Sequence, residues 1–373
     1  MASETGDPWL LTPGPLTTAA ETKGAMLHDW GSRDAAFIAM NVHMRERLAG
    51  IVHGEKTHVC VPLQGSGTFA VEAMIGTLVP RDGKALVLVN GAYGQRMARI
   101  LEVLGRPCTI LENPEDIPCD PVSLDAVLAA DPTVTHVLAV HCETTSGVLN
   151  PIAALAEATA RHHRRLLIDA MSAFGALELD ARAVPFDAVA ASSNKCLEGV
   201  PGMGFVVARR DVLEAAAGNA HSLALDLHDQ WRAMEGNGQW RFTPPTHVIA
   251  AFSQALDRFE AEGGVAGRHA RYAANCRLLV EGMRALGFAT LLPDAVQAPI
   301  IVTFRMPADP KFHFPKFYDG LKDRGFVIYP GKLTVADSFR MGCIGALGAA
   351  EMKAALGAVA EVMKDLGVVS GQP

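Results

Sequence analysis

One lysine stands where burial would make it reactive. Asp187 to Ala191 is a short apolar run, and Ser192-Ser193-Asn194-Lys195 follows it directly. Gly199, Pro201 and Gly202 then turn the chain into a second apolar run, Gly204 to Ala208. A lysine carried to the end of a buried strand loses hydration and its pKa falls. Its amine can then serve as a nucleophile or a proton carrier. A solvated loop lysine would carry the same local sequence, so other residues have to decide.

Four further strand ends hold polar or small residues where apolar ones would be expected. Gln64-Gly65-Ser66-Gly67-Thr68 leads into a helical pattern, and free N–H groups at such a start bind phosphate. The stretch lacks both the GxxxxGK[ST] and the GxGxxG pattern, so a nucleotide site is unsupported. Asn90-Gly91-Ala92-Tyr93-Gly94 sets an aromatic among glycines, where it can lie flat against a planar ligand. His141 to Gly147 offers hydroxyls at Thr144, Thr145 and Ser146, which could bond a ligand or cap a turn. Leu166 to Ser172 ends an apolar run on Asp169, a carboxylate that is costly to bury without a cation. A phosphate cradle, a stacking ring, a hydroxyl, a buried aspartate and a strand-end lysine form the set that pyridoxal phosphate requires. Lysine holds the aldehyde, and aspartate keeps the pyridine nitrogen protonated.

The elements that must position these groups follow from size and patterning. At 373 residues, two domains are expected. Hydrophobic content of 49% with 20% charged residues suits a well-buried enzyme. The net charge of −7 without runs of like charge excludes nucleic-acid and membrane-surface partners as a class. No basic leader or membrane-length apolar segment is evident, and the seven cysteines contain no CxxC pair. A cytoplasmic enzyme with reduced thiols and no metal is the expectation.

Apolar runs at 58–63, 85–90, 108–111, 136–141, 166–169, 188–191 and 204–208 alternate in the main with helical patterns such as 68–79, 95–104, 123–130 and 152–163. This rhythm predicts an α/β fold with a mainly parallel seven-stranded sheet covered by helices. A smaller C-terminal α+β domain is predicted from strands at 300–305, 327–329 and 339–341 and helices at 316–324 and 349–366. The expected division is an extended N-terminal segment over 1–15, a large domain over 16–265 and a small domain over 266–373. Residues 1–9 read as a frayed terminus, and Arg33 reads as a solvated or structural arginine.

The same stretches resemble the class V aminotransferase group of fold-type-I pyridoxal-phosphate enzymes, and within it the 2-aminoethylphosphonate–pyruvate transaminases. The resemblance runs through LLTPGPLT (10–17), LQGSGTFAVEA (63–73), NGAYGQR (90–96), HCETTSGVLNPI (141–152), IDAMSAFG (168–175), SSNKCLEGVPG (192–202), QWRFTPPTHV (239–248), FVIYPGK (326–332) and FRMGCIG (339–345). It implies that Lys195 bonds the cofactor and carries the proton, that Asp169 meets the pyridine nitrogen, and that Tyr93 stacks on the ring. Thr144 would lie by the phenolic oxygen. Ser66, Gly67, Thr68 and Ser193 would hold the phosphate, helped by Thr243 and Thr246 from the second subunit of a homodimer. Arg340 would bind the substrate's acid group, for which a guanidinium fork is the right shape. The implied reaction moves an amino group from 2-aminoethylphosphonate to pyruvate. Alanine–glyoxylate and serine–pyruvate aminotransferases share much of this framework and form the alternative.

Overall fold

The computed structural model describes residues 6–333 and 336–373. In chain order, β1 (Trp9–Leu10) and α1 (Ala20–Gly24) precede the long α2 (Ala35–Ile51). Then follow β2 (His58–Gly65), α3 (Gly67–Leu78), β3 (Lys84–Val89), α4 (Ala92–Val103), β4 (Cys108–Glu112), α5 (Pro121–Ala130) and β5 (Val134–Val140). A short hairpin, β6 (Cys142–Glu143) and β7 (Val148–Leu149), leads to α6 (Ile152–Arg161), β8 (Arg165–Asp169), β9 (Ala188–Ser192) and β10 (Gly202–Arg209). Four helices come next: α7 (Arg210–Ala215), α8 (Leu227–Asn237), α9 (Thr246–Ala261) and α10 (Gly264–Ala285). The chain closes with β11 (Ile301–Arg305), α11 (Phe314–Asp323), β12 (Phe326–Val327), β13 (Tyr329–Pro330), β14 (Ser338–Gly342) and α12 (Ala349–Leu366).

The seven predicted strands form one sheet in the order β2-β10-β9-β8-β5-β3-β4, and only β10 runs against its neighbours. Its inner strands are mostly apolar because helices cover both faces, with one core under each, whereas the edge strand β4 is partly exposed. Six strands, β2, β3, β4, β5, β8 and β9, run in one direction, so their carboxyl ends share one edge. In open α/β sheets that edge is where ligands bind.

A third core gathers around β11-β14-β13, an antiparallel sheet backed by α10, α11 and α12. The expected single strand over 327–329 is two separate pieces. Phe326 and Val327 pair with Trp9 and Leu10, whereas Tyr329 and Pro330 pair with Arg340 and Phe339. The reading of residues 6–9 as frayed also fails at its end, because Trp9 is buried in this third core and its amide donates to Gly325. Residues 1–5 lie outside the described residues. The apolar pair Trp9-Leu10 was the signal for a docked strand, since termini are ordered when a sheet edge takes them in.

Candidate active site

Strand ends converge on Lys195. Ser192 closes β9, and the following turn lifts Lys195, half-buried, toward the N-terminal segment. Its Nζ donates to the carbonyls of Pro13 at 2.9 Å and Gly14 at 2.7 Å. Gly14 has a φ of +100°, and a Cβ there would strike the Lys195 side chain and the Asn194 carbonyl, so only glycine brings that carbonyl to the amine. Burial is the main reason the ammonium drops to about 8, with Arg340 and Arg96 pushing in the same direction.

Asp169 ends β8, is buried, and accepts from the Met171 amide at 2.9 Å. Burial pushes its carboxyl up to about 6, and among the described residues no cation forms an ion pair with it. On the adjoining edge Ser66 gives α3 no side-chain cap, which leaves the first amides of the helix available to an anion. At Gly67 a Cβ would meet the Met171 side chain, so glycine lets that side chain lie close to the helix start. Thr68 Oγ1 accepts from Arg96 Nη1 at 3.1 Å.

Tyr93 lies in the first turn of α4, with the Arg96 guanidinium 4.8 Å and the Lys332 ammonium 4.5 Å from its ring centre. Glu143, wholly buried, anchors that turn. Its Oε2 accepts from the Tyr93 amide at 3.1 Å and the Gly94 amide at 3.4 Å, and its Oε1 accepts from the Thr145 hydroxyl at 2.6 Å. The Ala92 amide in turn donates to Thr145 Oγ1 at 3.0 Å. Thr144, buried beside them, accepts from Arg340 Nη1 through its carbonyl at 2.7 Å. Arg340 is the middle residue of β14, and it also donates from Nε to the Pro330 carbonyl at 3.2 Å. Burial lowers its pKa, and among the described residues no carboxylate pairs with it. A buried guanidinium without a counter-ion invites an anionic ligand.

The structure therefore brings Lys195, Asp169, Ser66, Gly67, Thr68, Tyr93, Thr144 and Arg340 to the edge where one sheet meets the other. Ser193, expected at the phosphate, has its hydroxyl engaged within its own turn. It is fully buried, and its hydroxyl donates to the carbonyls of Val200 at 2.6 Å and Met203 at 3.2 Å, which shapes the turn after Lys195. The neighbouring Ser192 hydroxyl is buried without a partner. Alternation along β9 puts Ser192 on the face of Ala188 and Ala190, which pack with α3, so its hydroxyl lies toward the α3 start. That two-residue period was the signal that separates the two serines. Thr243 is exposed and Thr246 half-buried at the start of α9. Arg33 is exposed before α2. Arg96 and Glu143 went unassigned by sequence reasoning. Arg96 falls three residues beyond Tyr93, where a helix returns a side chain to the same face.

Comparison with known proteins decides the family. The family model described as aminotransferase class-V matches residues 21–332. The chain belongs to the class-V aminotransferase family. Among curated class-V relatives, proteins named 2-aminoethylphosphonate–pyruvate transaminase from Pseudomonas putida strain GB-1 and Pseudomonas aeruginosa strain PAO1 are 58% and 57% identical, each over 97% of this chain and 98% of the relative. A Burkholderia lata protein named 2-aminoethylphosphonate–pyruvate transaminase 2 is 58% identical over 97% of this chain and 96% of its own. Among solved structures, alanine–glyoxylate aminotransferase from Nostoc sp. superposes with a TM-score of 0.90 at 21% identity, covering 97% of each chain. Pyridoxamine–pyruvate aminotransferase from Mesorhizobium loti gives 0.89 at 24%, covering 99% of this chain and 96% of that one. At those identities the likeness is one of fold, and it is the class-V fold that the sequence implied.

The cofactor of this class-V chain is pyridoxal phosphate, and the residues present fit it. A buried carboxyl without a cation awaits a protonated ring nitrogen, an orphaned buried hydroxyl and an uncapped helix start await a phosphate, and a lysine of lowered pKa stands beside both.

Proposed function

We propose that this chain transfers the amino group of 2-aminoethylphosphonate to pyruvate, forming phosphonoacetaldehyde and L-alanine. Two things support the reading: near-complete coverage by relatives carrying that name, and a buried, carboxylate-free Arg340 set across the crevice from Lys195. Pyridoxal phosphate supplies the aldehyde that takes up the amino group and a ring that accepts the electrons of the broken C–H bond.

The chain supplies the rest. With a pKa near 8, Lys195 holds an appreciable neutral fraction near neutral pH, so its Nζ can take the proton from the carbon bearing nitrogen and later return one. Asp169 would meet the cofactor's ring nitrogen, where a positive charge would relieve the burial cost of its carboxyl. Ser66, Gly67, Thr68 and Ser192 would hold the phosphate, with Arg96 steadying Thr68 and adding positive charge. Glu143 fixes the turn that presents Tyr93 to the ring. Arg340 binds the phosphonate of the donor and then the carboxylate of the acceptor, one fork serving both half-reactions.

The working unit we propose is a cytoplasmic homodimer in which Thr243 and Thr246 reach the partner's phosphate cradle. The exposed position of Thr243 and the position of Thr246 at a helix start accord with it. Among the described residues no helix is long and apolar enough to cross a membrane. The division into a lead-in over 1–15, a large domain over 16–265 and a small domain over 266–373 belongs to the same reading.

The test is a two-step spectral titration of the cofactor-loaded protein. 2-Aminoethylphosphonate alone should convert the yellow form to the amine form, and pyruvate should restore it with release of alanine. Conversion by alanine or serine with no response to 2-aminoethylphosphonate would move the donor to the alternative class.

A further inference from the structure

The face of α10 that carries Arg268, Arg271, Tyr272 and Asn275 touches two loops at once. On one side lies the turn after Lys195. Glu198 stands there with a φ of +57°, a left-handed conformation that a non-glycine residue keeps only when its surroundings hold it. Its carboxylate accepts from Arg271 Nη2 at 2.7 Å and from the Tyr272 hydroxyl at 2.6 Å, with Arg268 at 3.6 Å. Arg268 also donates to the carbonyl of Cys196, the residue next to the lysine.

On the other side lies the loop that leaves β14 just beyond Arg340. Arg271 Nη1 donates to the Gly345 carbonyl at 2.5 Å and the Leu347 carbonyl at 3.0 Å. Asn275 Nδ2 donates to the carbonyls of Cys343 at 3.1 Å and Leu347 at 3.2 Å. The Gly345 amide donates to the Tyr272 hydroxyl at 3.3 Å. Glu262, just before α10, accepts from both Arg268 and Arg271 at 2.7 Å and holds the two forks in register. One guanidinium, that of Arg271, thus binds the lysine turn through one nitrogen and the arginine loop through another.

We infer that this face of α10 is a positioning clamp that fixes the span between Lys195 and Arg340, and thereby the length of donor the site accepts. The inference rests on the roles proposed for those two residues. A donor reacts only when its amine-bearing carbon meets the Lys195 Nζ while its acid group lies on Arg340. A misplacement of about 1 Å in such a geometry costs on the order of 100-fold in rate. Shape alone distinguishes one methylene by about 10- to 200-fold. Arg271 and Tyr272 touch neither substrate nor cofactor in this scheme, and they act by holding the two ends apart at a set distance.

The experiment compares kcat/KM for 2-aminoethylphosphonate with that for 3-aminopropylphosphonate, one methylene longer, in the cofactor-loaded native protein, Arg271→Lys and Tyr272→Phe. Melting temperatures are recorded alongside. Arg271→Lys keeps the charge but loses the fork, and it should reduce the preference for the shorter donor at least 5-fold, through kcat more than KM. Tyr272→Phe, which removes one hydroxyl, should shift the preference the same way by about half as much on a logarithmic scale and covers the case in which Arg271→Lys does not fold. A folded variant that loses activity toward both donors by one common factor, with selectivity within twofold of native, overturns the clamp. If the native protein ignores 2-aminoethylphosphonate, the proposed function fails instead. The clamp is then tested by the same ratio between alanine and β-alanine.

Discussion

The crevice has two cationic ends built alike and used differently. Lys195 on the large sheet and Arg340 on the small one are both held by backbone carbonyls, Pro13 and Gly14 in one case and Thr144 and Pro330 in the other. Among the described residues neither has a carboxylate in an ion pair, and burial lowers the pKa of both. The outcomes diverge because their starting basicities differ. Lowered to about 8, the lysine can release its proton near neutral pH, whereas an arginine starts so high that it stays charged. A single kind of environment therefore yields a proton carrier at one end and a permanent anion anchor at the other.

Exchanging the two chemistries breaks this contrast most severely. Lys195→Arg keeps a cation but cannot give up its proton, and turnover should fall on the order of 10⁴-fold, read as product formed per active site. A variant within tenfold of native would remove Lys195 from proton transfer. Arg340→Lys keeps charge but loses the fork, and kcat/KM should drop about 100-fold for donor and acceptor alike. Loss with the donor only would show that the two acids bind in separate places.

Asp169 sharpens the contrast from the anionic side. Its folded pKa of about 6 lies above the ordinary 3.8, so the folded state holds the proton more tightly than the unfolded one. Stability of the cofactor-free protein is then lost as pH rises from about 4 through 6. Asp169→Asn escapes the penalty and should be the more stable apoprotein by up to about 3 kcal/mol at pH 7, with no difference at pH 3. Equal denaturant midpoints at pH 7 would contradict it. The smallest effect belongs to Lys332, exposed and over the Tyr93 ring. Lys332→Met should weaken the donor, whose phosphonate carries up to two negative charges, about threefold more than pyruvate, and added salt should erase the difference.

Much of this was legible in the sequence wherever one period governed. The seven sheet strands are apolar runs bounded by turn residues, and all seven fall at the expected places with ends displaced by one or two residues. Burial on both faces leaves that signal unambiguous in the inner strands, whereas the edge strand β4 is partly exposed and carries it more weakly. The site was legible where strand ends broke the apolar pattern, at Asp169, Tyr93 and Lys195. It was illegible where a residue's task depends on a neighbour distant in sequence. Glu143 and Tyr93 are joined by a bond across 50 residues, and Arg271 reaches Glu198 across 73. Ser193 and Ser192 differ only in the face they present, which composition hides and strand alternation reveals. The split of 327–329 into two pairings also lay beyond local pattern, because one partner is Trp9, at the far end of the chain.

That distant pairing bears on the order in which the molecule can be assembled during synthesis. Trp9 and Leu10 leave the ribosome early, yet their strand partners Phe326 and Val327 emerge late. The same short segment brings the Pro13 and Gly14 carbonyls to Lys195, across 182 and 181 residues. A nascent chain that has already folded its seven-stranded sheet therefore still carries its lysine without the strand pairing that anchors this segment. Its catalytic amine receives its final surroundings only as the last strands of the small sheet arrive.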